Sequence, residues 1–312
     1  MRWVTRALVS KWAGFGLVLV WGVWLSTRAQ PAPADITKTL LEKRMYLVDL
    51  RNDGYWVTFP RERREQIVYS GLADEYGYSV VAPDGASLFA VKLTRELLPS
   101  AELVRRSLAG EGGPEETISS AFKIIQYCAV SRSERFVAIA GRLRGSAPSA
   151  ERDGIYVLNR DTGSVVKVAG FANAGLNESI LSLNVSDRGD VVVYEERGDV
   201  VRLDASRPAS GPERHRGQFP VLMPGDQAYI FADHGWLLWK DGSGSRELVP
   251  VPKVAGGVRV SPDGHFVAFG VSAAGDLDYT RLRVCDLDSR SCVDGPKYVD
   301  WVAGRETFWI QR

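Results

Sequence analysis

The sequence predicts an all-β protein: a β-propeller of about six four-stranded blades, with seven blades as the alternative. Short runs of alternating apolar and polar residues are separated by turns rich in Gly, Asp and Ser along most of the 312 residues, which is typical of short strands joined by tight turns. A turn followed by an apolar strand also recurs roughly every 40 to 55 residues, the period expected of propeller blades. One blade cannot bury both faces of its small sheet, whereas a ring of blades can.

The clearest copy of the repeat is residues 261–269, where Ser261-Pro262-Asp263-Gly264 precedes an apolar strand. Weaker copies occupy residues 78–91, 128–139, 181–194 and 219–231. The copy at 128–139 lacks the turn glycine but keeps its strand. Residues 96–108 interrupt the pattern and predict either a short inserted helix or two ordinary outer strands.

The beginning of the chain predicts export. Residues 1–29 contain basic residues at the start, an uncharged apolar run at 12–25 and a small-residue exit before Gln30, which is the layout of a secretory signal peptide. The alternative is an uncleaved membrane anchor, although 14 residues of helix span only about 21 Å of a hydrocarbon core roughly 30 Å thick. Residues 30–44 are then a linker or lead-in, and residues 45–312 are the propeller domain.

Ring closure requires a strand from the N-terminal part of the domain. We expect residues 45–50 or 55–59 to complete a sheet whose first two strands are 299–302 and 307–310.

Charge and cysteine content fit a mature protein outside the cytoplasm. Residues 30–312 contain 35 basic and 38 acidic side chains, a net charge of −3, so the domain has no electrostatic footprint for nucleic acid or for an anionic membrane. Cys285 and Cys292 flank a predicted hairpin turn, which favours a disulfide over two unlinked thiols in an oxidising compartment. Cys128 lies in an apolar run and is expected to be a buried free thiol.

The repeats resemble the TolB-type, or PD40 (WD40-like), propeller repeats, whose mark is Ser-Pro-Asp-Gly before a strand centred on Ala-Phe. Residues 261–269 match this mark throughout, residues 82–90 match well and residues 186–193 match partly. The resemblance covers roughly residues 45–312 and implies a fold more than an activity, because such repeats occur in periplasmic partner-binding proteins and in the non-catalytic propellers of some peptidases. By analogy, the first strand of each blade lines a central channel, and the face opposite the Pro-Asp-Gly turns carries recognition.

No motif in the sequence indicates catalysis. The three histidines, His215, His234 and His265, have no second His or Cys at metal-ligand spacing, so we expect solvated loop residues and no metal. Neither a Gly-x-Ser-x-Gly elbow nor a phosphate-binding glycine motif is present, so no catalytic residue and no cofactor are predicted. The segment 207–216, which is rich in Arg, is expected to be a solvated excursion.

Binding residues are therefore predicted from position. The predicted first strands offer Gln126, Asn184 and Arg259, and the Tyr76/Tyr78 pair supplies aromatic groups of the kind that interfaces use. Other candidates are the long connections at 141–154 and 171–179.

The predicted function is a non-catalytic, protein-binding or scaffold module exported to the periplasm or the extracellular space. Its partner is expected to be another envelope protein, and it contacts a membrane only if residues 12–25 are retained as an anchor. The alternatives are a propeller hydrolase or lyase with a carboxylate or metal site in the channel, and the sensor domain of a membrane-anchored complex.

Overall fold

A computed structural model describes residues 35–51, 54–60, 65–69, 76–93, 100–108, 114–171, 180–207, 210–251, 254, 257–273, 276–299 and 307–311. Residues Asp35–Arg312 form one compact unit. The predicted signal peptide or anchor, and Gln30 itself, lie outside the described residues.

The described chain contains 24 strands and two short helices. The helices are α1 (Ile36–Glu42) and α2 (Ser149–Arg152). The strands in chain order are β1 (Met45–Arg51), β2 (Gly54–Phe59), β3 (Glu65–Tyr69), β4 (Tyr76–Val81), β5 (Ser87–Leu93), β6 (Ala101–Ser107), β7 (Glu115–Ser119), β8 (Phe122–Val130), β9 (Phe136–Leu143), β10 (Asp153–Asn159), β11 (Val165–Gly170), β12 (Ile180–Val185), β13 (Val191–Glu196), β14 (Asp199–Asp204), β15 (Glu213–Arg216), β16 (Gln218–Leu222), β17 (Tyr229–Asp233), β18 (Trp236–Asp241), β19 (Gly244–Pro250), β20 (Arg259–Val260), β21 (Phe266–Ala273), β22 (Asp276–Asp286), β23 (Cys292–Val299) and β24 (Thr307–Gln311).

These strands pair into four-stranded antiparallel sheets. Five sheets are each built from four consecutive strands: sheet 2 (β4–β7), sheet 3 (β8–β11), sheet 4 (β12–β15), sheet 5 (β16–β19) and sheet 6 (β20–β23). The strands left over form a composite, sheet 1, in the order β24-β1-β2-β3. The predicted all-β propeller is confirmed. The predicted number of about six blades, with seven as the alternative, is not confirmed: five blades are runs of four consecutive strands, whereas the remaining sheet combines β24 with β1, β2 and β3. No seventh sheet is present in the described ranges.

The core lies between successive sheets. The second strands are apolar on both faces, as in β13 with Val191, Val192, Val193 and Tyr194 all buried, because each is packed between the two neighbouring sheets. Outer strands such as β11 are largely exposed. Buried clusters link sheets 1, 2 and 3, then 3 and 4, 4 and 5, 5 and 6, and finally 6 and 1, so the packing closes into a ring.

The turn between the first and second strands, called here the inner turn, shares one backbone feature in sheets 2 to 6, although in sheet 5 its third residue, Gly225, has positive φ as well. Its fourth residue has positive φ in every case, at Gly85, Glu134, Gly189, Asp226 and Gly264. In sheet 6 the buried Ser261 hydroxyl accepts a hydrogen bond from the Phe266 amide at 2.9 Å and donates one to Asp263 at 2.7 Å. Ser131 and Ser186 accept from the Phe136 and Val191 amides in the same way. The Ser-x-Asp-Gly pattern is therefore explained by turn geometry and by the pairing of a buried N–H.

Inner turns also contact one another across sheets. The Ser133 amide donates to the Asp187 carboxylate at 2.7 Å, and the Asp187 amide donates to the Asp226 carboxylate at 3.0 Å. A Cβ at Gly189 would overlap the Phe136 ring of the preceding sheet. The turns thus form an inter-sheet contact as well as a local bend.

Sheet 1 closes the ring by pairing β1 with β24, with Leu47 opposite Trp309. The first of the two expected closing strands, at 45–50, is therefore the one next to β24. The expectation for 299–302 is wrong at Val299, which belongs to β23 and pairs with Tyr279 in sheet 6; residues 300–302 lie outside the described chain.

Helix α1 spans the joint between sheets 6 and 1. Ile36 and Leu40 are buried in the cluster that contains Phe266 of sheet 6 and Trp309 of sheet 1. At the end of the helix, Lys43 is 2.5 Å from the Asp263 carboxylate of the sheet 6 inner turn. The lead-in is thus a helix that packs on the propeller.

Three local expectations from the sequence are resolved by the described residues. The interrupting segment 96–108 contains strand β6 rather than a helix over its described part. Cys285 and Cys292 are directly opposite in β22 and β23 and form the predicted disulfide. Cys128 is buried and free, as expected.

Candidate functional site

The first strands of the sheets surround a central cavity of about 140 Å³. Its walls are built from β4, β8, β12, β16, β20 and β24, together with residues of the inner turns. The volume is below the roughly 300–1,000 Å³ that is usual for small-molecule pockets. The channel is therefore narrow at this level.

Three of the five predicted binding residues lie on the wall of this cavity: Tyr78, Asn184 and Arg259. Gln126 is half-buried on β8 but is not among the lining residues. Tyr76 belongs to β4, and its side chain lies outside the described part. The structure brings three of the residues to one place and does not test their role in binding.

The polar groups of the wall make contacts within the propeller. The Asn184 amide donates to the Pro220 carbonyl at 2.9 Å, beside Ser182, which donates to the same carbonyl. Arg259 donates to the Val258 carbonyl at 3.0 Å, and its own carbonyl accepts from the Trp309 indole at 3.1 Å. The contacts to the Pro220 and Arg259 carbonyls join neighbouring first strands, whereas the contact between Arg259 and Val258 is local.

A charged cluster that sequence reasoning missed lies where the inner turns meet the cavity: Arg132, Asp187 and Asp226. Arg132 donates to the Leu222 carbonyl at 2.9 Å. Burial lowers the pKa of its guanidinium, and the negative charges of Asp187 and Asp226 offset only part of this lowering. Burial raises the pKa of Asp226, and the hydrogen bond that its carboxylate accepts from the Asp187 amide offsets part of this rise. The sequence feature that could have identified this cluster is its position, because all three residues occupy inner turns of successive repeats.

The chemistry open to this cavity is limited by those pairings. Both carboxylates already accept backbone N–H groups, and the guanidinium donates to the Leu222 carbonyl. Cys128 also lines the cavity, but burial raises the pKa of its thiol to about 12, so it is not a thiolate near neutral pH. Within the described residues, no group of three or more His, Cys, Asp and Glu side chains could hold a metal ion.

The histidine expectation is wrong for His215, which lies in strand β15 rather than a loop. Its Nε2 is 2.7 Å from the Tyr229 hydroxyl, and its ring packs at 4.4 Å from the Phe231 ring centroid. This edge strand has no apolar alternation, so periodicity could not identify it. His234 and His265 are in exposed turns as expected.

The arginines of 207–216 are paired rather than free. Arg207, Arg214 and Arg216 contact Asp204 at 2.9 Å, Glu196 at 2.6 Å and Asp199 at 3.4 Å, respectively.

The other long connections are resolved in part. The connection at 141–154 contains α2 and a two-pronged ion pair between Arg142 and Asp153 at 2.5 and 2.8 Å. Most of 171–179 lies outside the described chain.

A second and larger depression, of about 520 Å³, lies between sheets 4 and 5. It is called here the Trp236 depression, and its lining residues are Gly198, Arg216, Gly217, Gln218, Ala232, Asp233, His234, Gly235, Trp236, Val251 and Val254. They belong to the turns between second and third strands and to the links between sheets. In an antiparallel sheet those connections lie at the end opposite the inner turns.

Fold and cavity together define a TolB-like β-propeller. TolB from Acinetobacter baumannii superimposes with a TM-score of 0.56 at 16% identity, covering 86% of this chain and 67% of that protein. A putative TolB from Agrobacterium tumefaciens gives 0.53 at 17% identity, covering 85% and 95%. An oligogalacturonate lyase from Vibrio parahaemolyticus gives 0.46 at 14% identity, covering 77% and 70%.

These similarities show the fold alone, because identity is below one fifth throughout. No protein-family model matches the sequence, and no curated protein matches it. Neither of the two helices in the described ranges is long and apolar enough to cross a membrane.

Proposed function

We propose that this protein is an exported β-propeller that acts as a non-catalytic, protein-binding module of the cell envelope. The proposal rests on the contacts that the charged side chains of the channel wall make. Asp187 and Asp226 accept amide hydrogen bonds that join neighbouring sheets, and Arg132 of sheet 3 donates to the Leu222 carbonyl of sheet 5, so these residues support the ring rather than a reaction. A hydrolase or lyase needs acids or bases that converge on space for a substrate.

We further propose that sheet 1 serves as the sixth blade of the ring. Its four strands have the same antiparallel order as a blade, and its buried face joins those of sheets 6 and 2 through shared apolar clusters.

Export is supported by the disulfide between Cys285 and Cys292, since disulfides persist mainly in oxidising compartments. It agrees with the signal-peptide layout of residues 1–29, which places the start of the mature chain near Gln30. In this proposal the protein is periplasmic or extracellular, with retention of residues 12–25 as an anchor as the alternative.

The test is affinity capture of the full chain, tagged at its C-terminus, from the envelope of the source cells after mild cross-linking. We expect one stoichiometric envelope protein, whose complex re-forms from the two purified components. Mass measurement of the captured chain should show a mature N-terminus near Gln30. Recovery of the intact chain from Met1 in membranes would contradict cleavage. Failure of any captured protein to re-form a complex would contradict the binding role.

A further inference from the structure

Sheet 3 differs from the other blades in its charge. Residues 122–170, which form it, contain eight Lys and Arg side chains and four Asp and Glu side chains. Each of the spans that form sheets 2, 4, 5 and 6 contains more acidic than basic side chains. The positive charge of a domain that is acidic elsewhere is therefore concentrated in one blade.

The basic residues of sheet 3 fall into two groups. Arg132, Arg135 and Arg160 lie towards the inner-turn end, and each has a carboxylate nearby. Arg142 forms the two-pronged ion pair with Asp153. The remaining four make no ion pair with a carboxylate anywhere in the described chain: Lys123, Arg144, Arg152 and Lys167.

These four residues, called here the cation row, lie side by side at the end of sheet 3 opposite its inner turn. The Arg144 Nε donates to the carbonyl of Phe122, the residue before Lys123, at 3.2 Å. The Arg152 guanidinium donates to the carbonyl of Leu143, the residue before Arg144, at 2.9 Å. Each arginine therefore contacts the backbone beside the next cation.

Lys167 extends the cation row to the outer strand β11. Its Nζ donates to the Glu151 carbonyl, directly before Arg152, at 2.7 Å. The row thus crosses the four strands of the sheet, about 14 Å in three strand spacings. Within the described connection 144–152, the one carboxylate is that of Glu151, which is exposed. The row therefore keeps a net positive charge.

The contacts of the two arginines orient them without neutralising them. Arg144 uses two of its N–H groups on the Phe122 carbonyl and the Ser100 hydroxyl, and Arg152 uses two on backbone carbonyls. Further N–H groups of each guanidinium are left to bind a carboxylate. Because the side chains are already held in place, less ordering entropy is lost when a partner binds.

The shape and surroundings of the cation row select its occupant. Its charges are spread along a line instead of converging on one point, which suits a chain of carboxylates better than a single phosphate. Residues 145–150 have only small side chains, so the connection offers no apolar group that could enter a bilayer. The acidic remainder of the domain would also be repelled by an anionic membrane.

We propose that the cation row binds an acidic segment of the partner protein, in which several Asp or Glu side chains lie along an extended stretch. This inference rests on the proposed function and names the chemistry of the partner that it recognises.

The experiment is isothermal titration of the purified full chain with the capped peptide acetyl-Asp-Glu-Ser-Glu-Asp-amide and its uncharged analogue acetyl-Asn-Gln-Ser-Gln-Asn-amide. Inorganic phosphate and phosphatidylglycerol vesicles are titrated separately. The variants are the double substitution Lys123→Gln with Lys167→Gln, and Glu151→Gln, each checked for folding by circular dichroism. Arg188→Gln is the control, because Arg188 is 70% exposed and lies on the inner turn of sheet 4.

We expect the acidic peptide to bind at least about tenfold more tightly than the uncharged one. An exposed charge pair is worth about threefold in affinity, so the double lysine variant should weaken the acidic peptide about tenfold. Glu151→Gln removes the opposing carboxylate and should tighten binding about threefold, while Arg188→Gln should leave it unchanged.

Three results would overturn the inference. The first is equal affinity for the two peptides, or no binding at millimolar concentration. The second is an acidic-peptide affinity that the double lysine variant leaves unchanged. The third is binding of inorganic phosphate or of the vesicles as tight as that of the acidic peptide, because the occupant would then belong to another class.

The capture experiment separates the two proposals. If the double lysine variant binds the envelope partner as tightly as the wild-type chain does, the inference fails and the proposed function stands. If the wild-type chain captures no partner that re-forms a complex, both fail.

Discussion

Replacing Gly189 with alanine tests whether inner turns join the sheets or merely bend the chain. Gly189 has φ of +73°, and a Cβ there would overlap the Phe136 ring of the preceding sheet. Gly163, in the turn between β10 and β11, has φ of +68° with nothing within 4 Å of its Cβ position. The two substitutions therefore impose the same backbone strain, and only Gly189→Ala adds an inter-sheet clash.

The magnitudes follow from these two effects. An alanine in the left-handed region costs about 1–2 kcal/mol, which is all that Gly163→Ala should lose. Overpacking against a ring adds about 1–3 kcal/mol, so Gly189→Ala should lose about 2–5 kcal/mol. The free energy of unfolding is measured by urea denaturation of the purified chain.

A double-mutant comparison checks the cause. In a Phe136→Ala background the obstruction is absent, so Gly189→Ala should then cost no more than Gly163→Ala. Equal losses for Gly189→Ala and Gly163→Ala in the wild-type background would refute the inter-sheet role of the turn.

Two further predictions concern the outer strands. Replacing both Cys285 and Cys292 with serine should lower the free energy of unfolding, since a sequence separation of 7 corresponds to about 2.5 kcal/mol in the chain-entropy model; a loss below about 1 kcal/mol in urea denaturation would contradict this. Hydrogen bonding, chiefly from the Ser243 hydroxyl, lowers the pKa of Asp241 to about 2, so Ser243→Ala should raise that pKa in an NMR titration while Ser245→Ala leaves it unchanged. Because the folded-state pKa of Asp241 is depressed, its contribution to stability is present above the unfolded-state pKa and is lost as pH falls through about 2. An unchanged titration of Asp241 in Ser243→Ala would contradict this assignment.

The fold was largely predictable because its signals are local. Ser261, Asp263 and Gly264 each satisfy a need of their own turn, so the motif identifies the turn wherever it occurs. Glu134 and Asp226 take the same left-handed position without being glycine, which requires tertiary support that a local pattern does not show. Those two copies were consequently the weakest in the sequence.

The candidate sites were less predictable because they depend on contacts between distant repeats. Asp187 and Asp226 meet through a hydrogen bond that joins residues 39 apart, and neither residue is unusual in its own turn. The Trp236 depression likewise combines connections from two sheets with residues after β19. Such juxtapositions follow from the closure of the ring, whereas Asn184 and Arg259 were found because a first strand must face the channel.

The composite sheet determines the order of events when this chain folds. Gln311 donates to the Lys43 carbonyl across 268 residues. The pairing of β1 with β24, which closes the ring, therefore joins the parts of the described domain that are most distant in sequence. Sheets 2 to 6 can each assemble as a hairpin series soon after synthesis, because their contacts are local and low in closure entropy. Strand β24 must pair with β1 before the sheet that contains β1, β2 and β3 is complete. The ring is therefore complete only after residues 307–311 have been synthesised and paired, and until then the apolar surface between sheets 6 and 1 is exposed to aggregation.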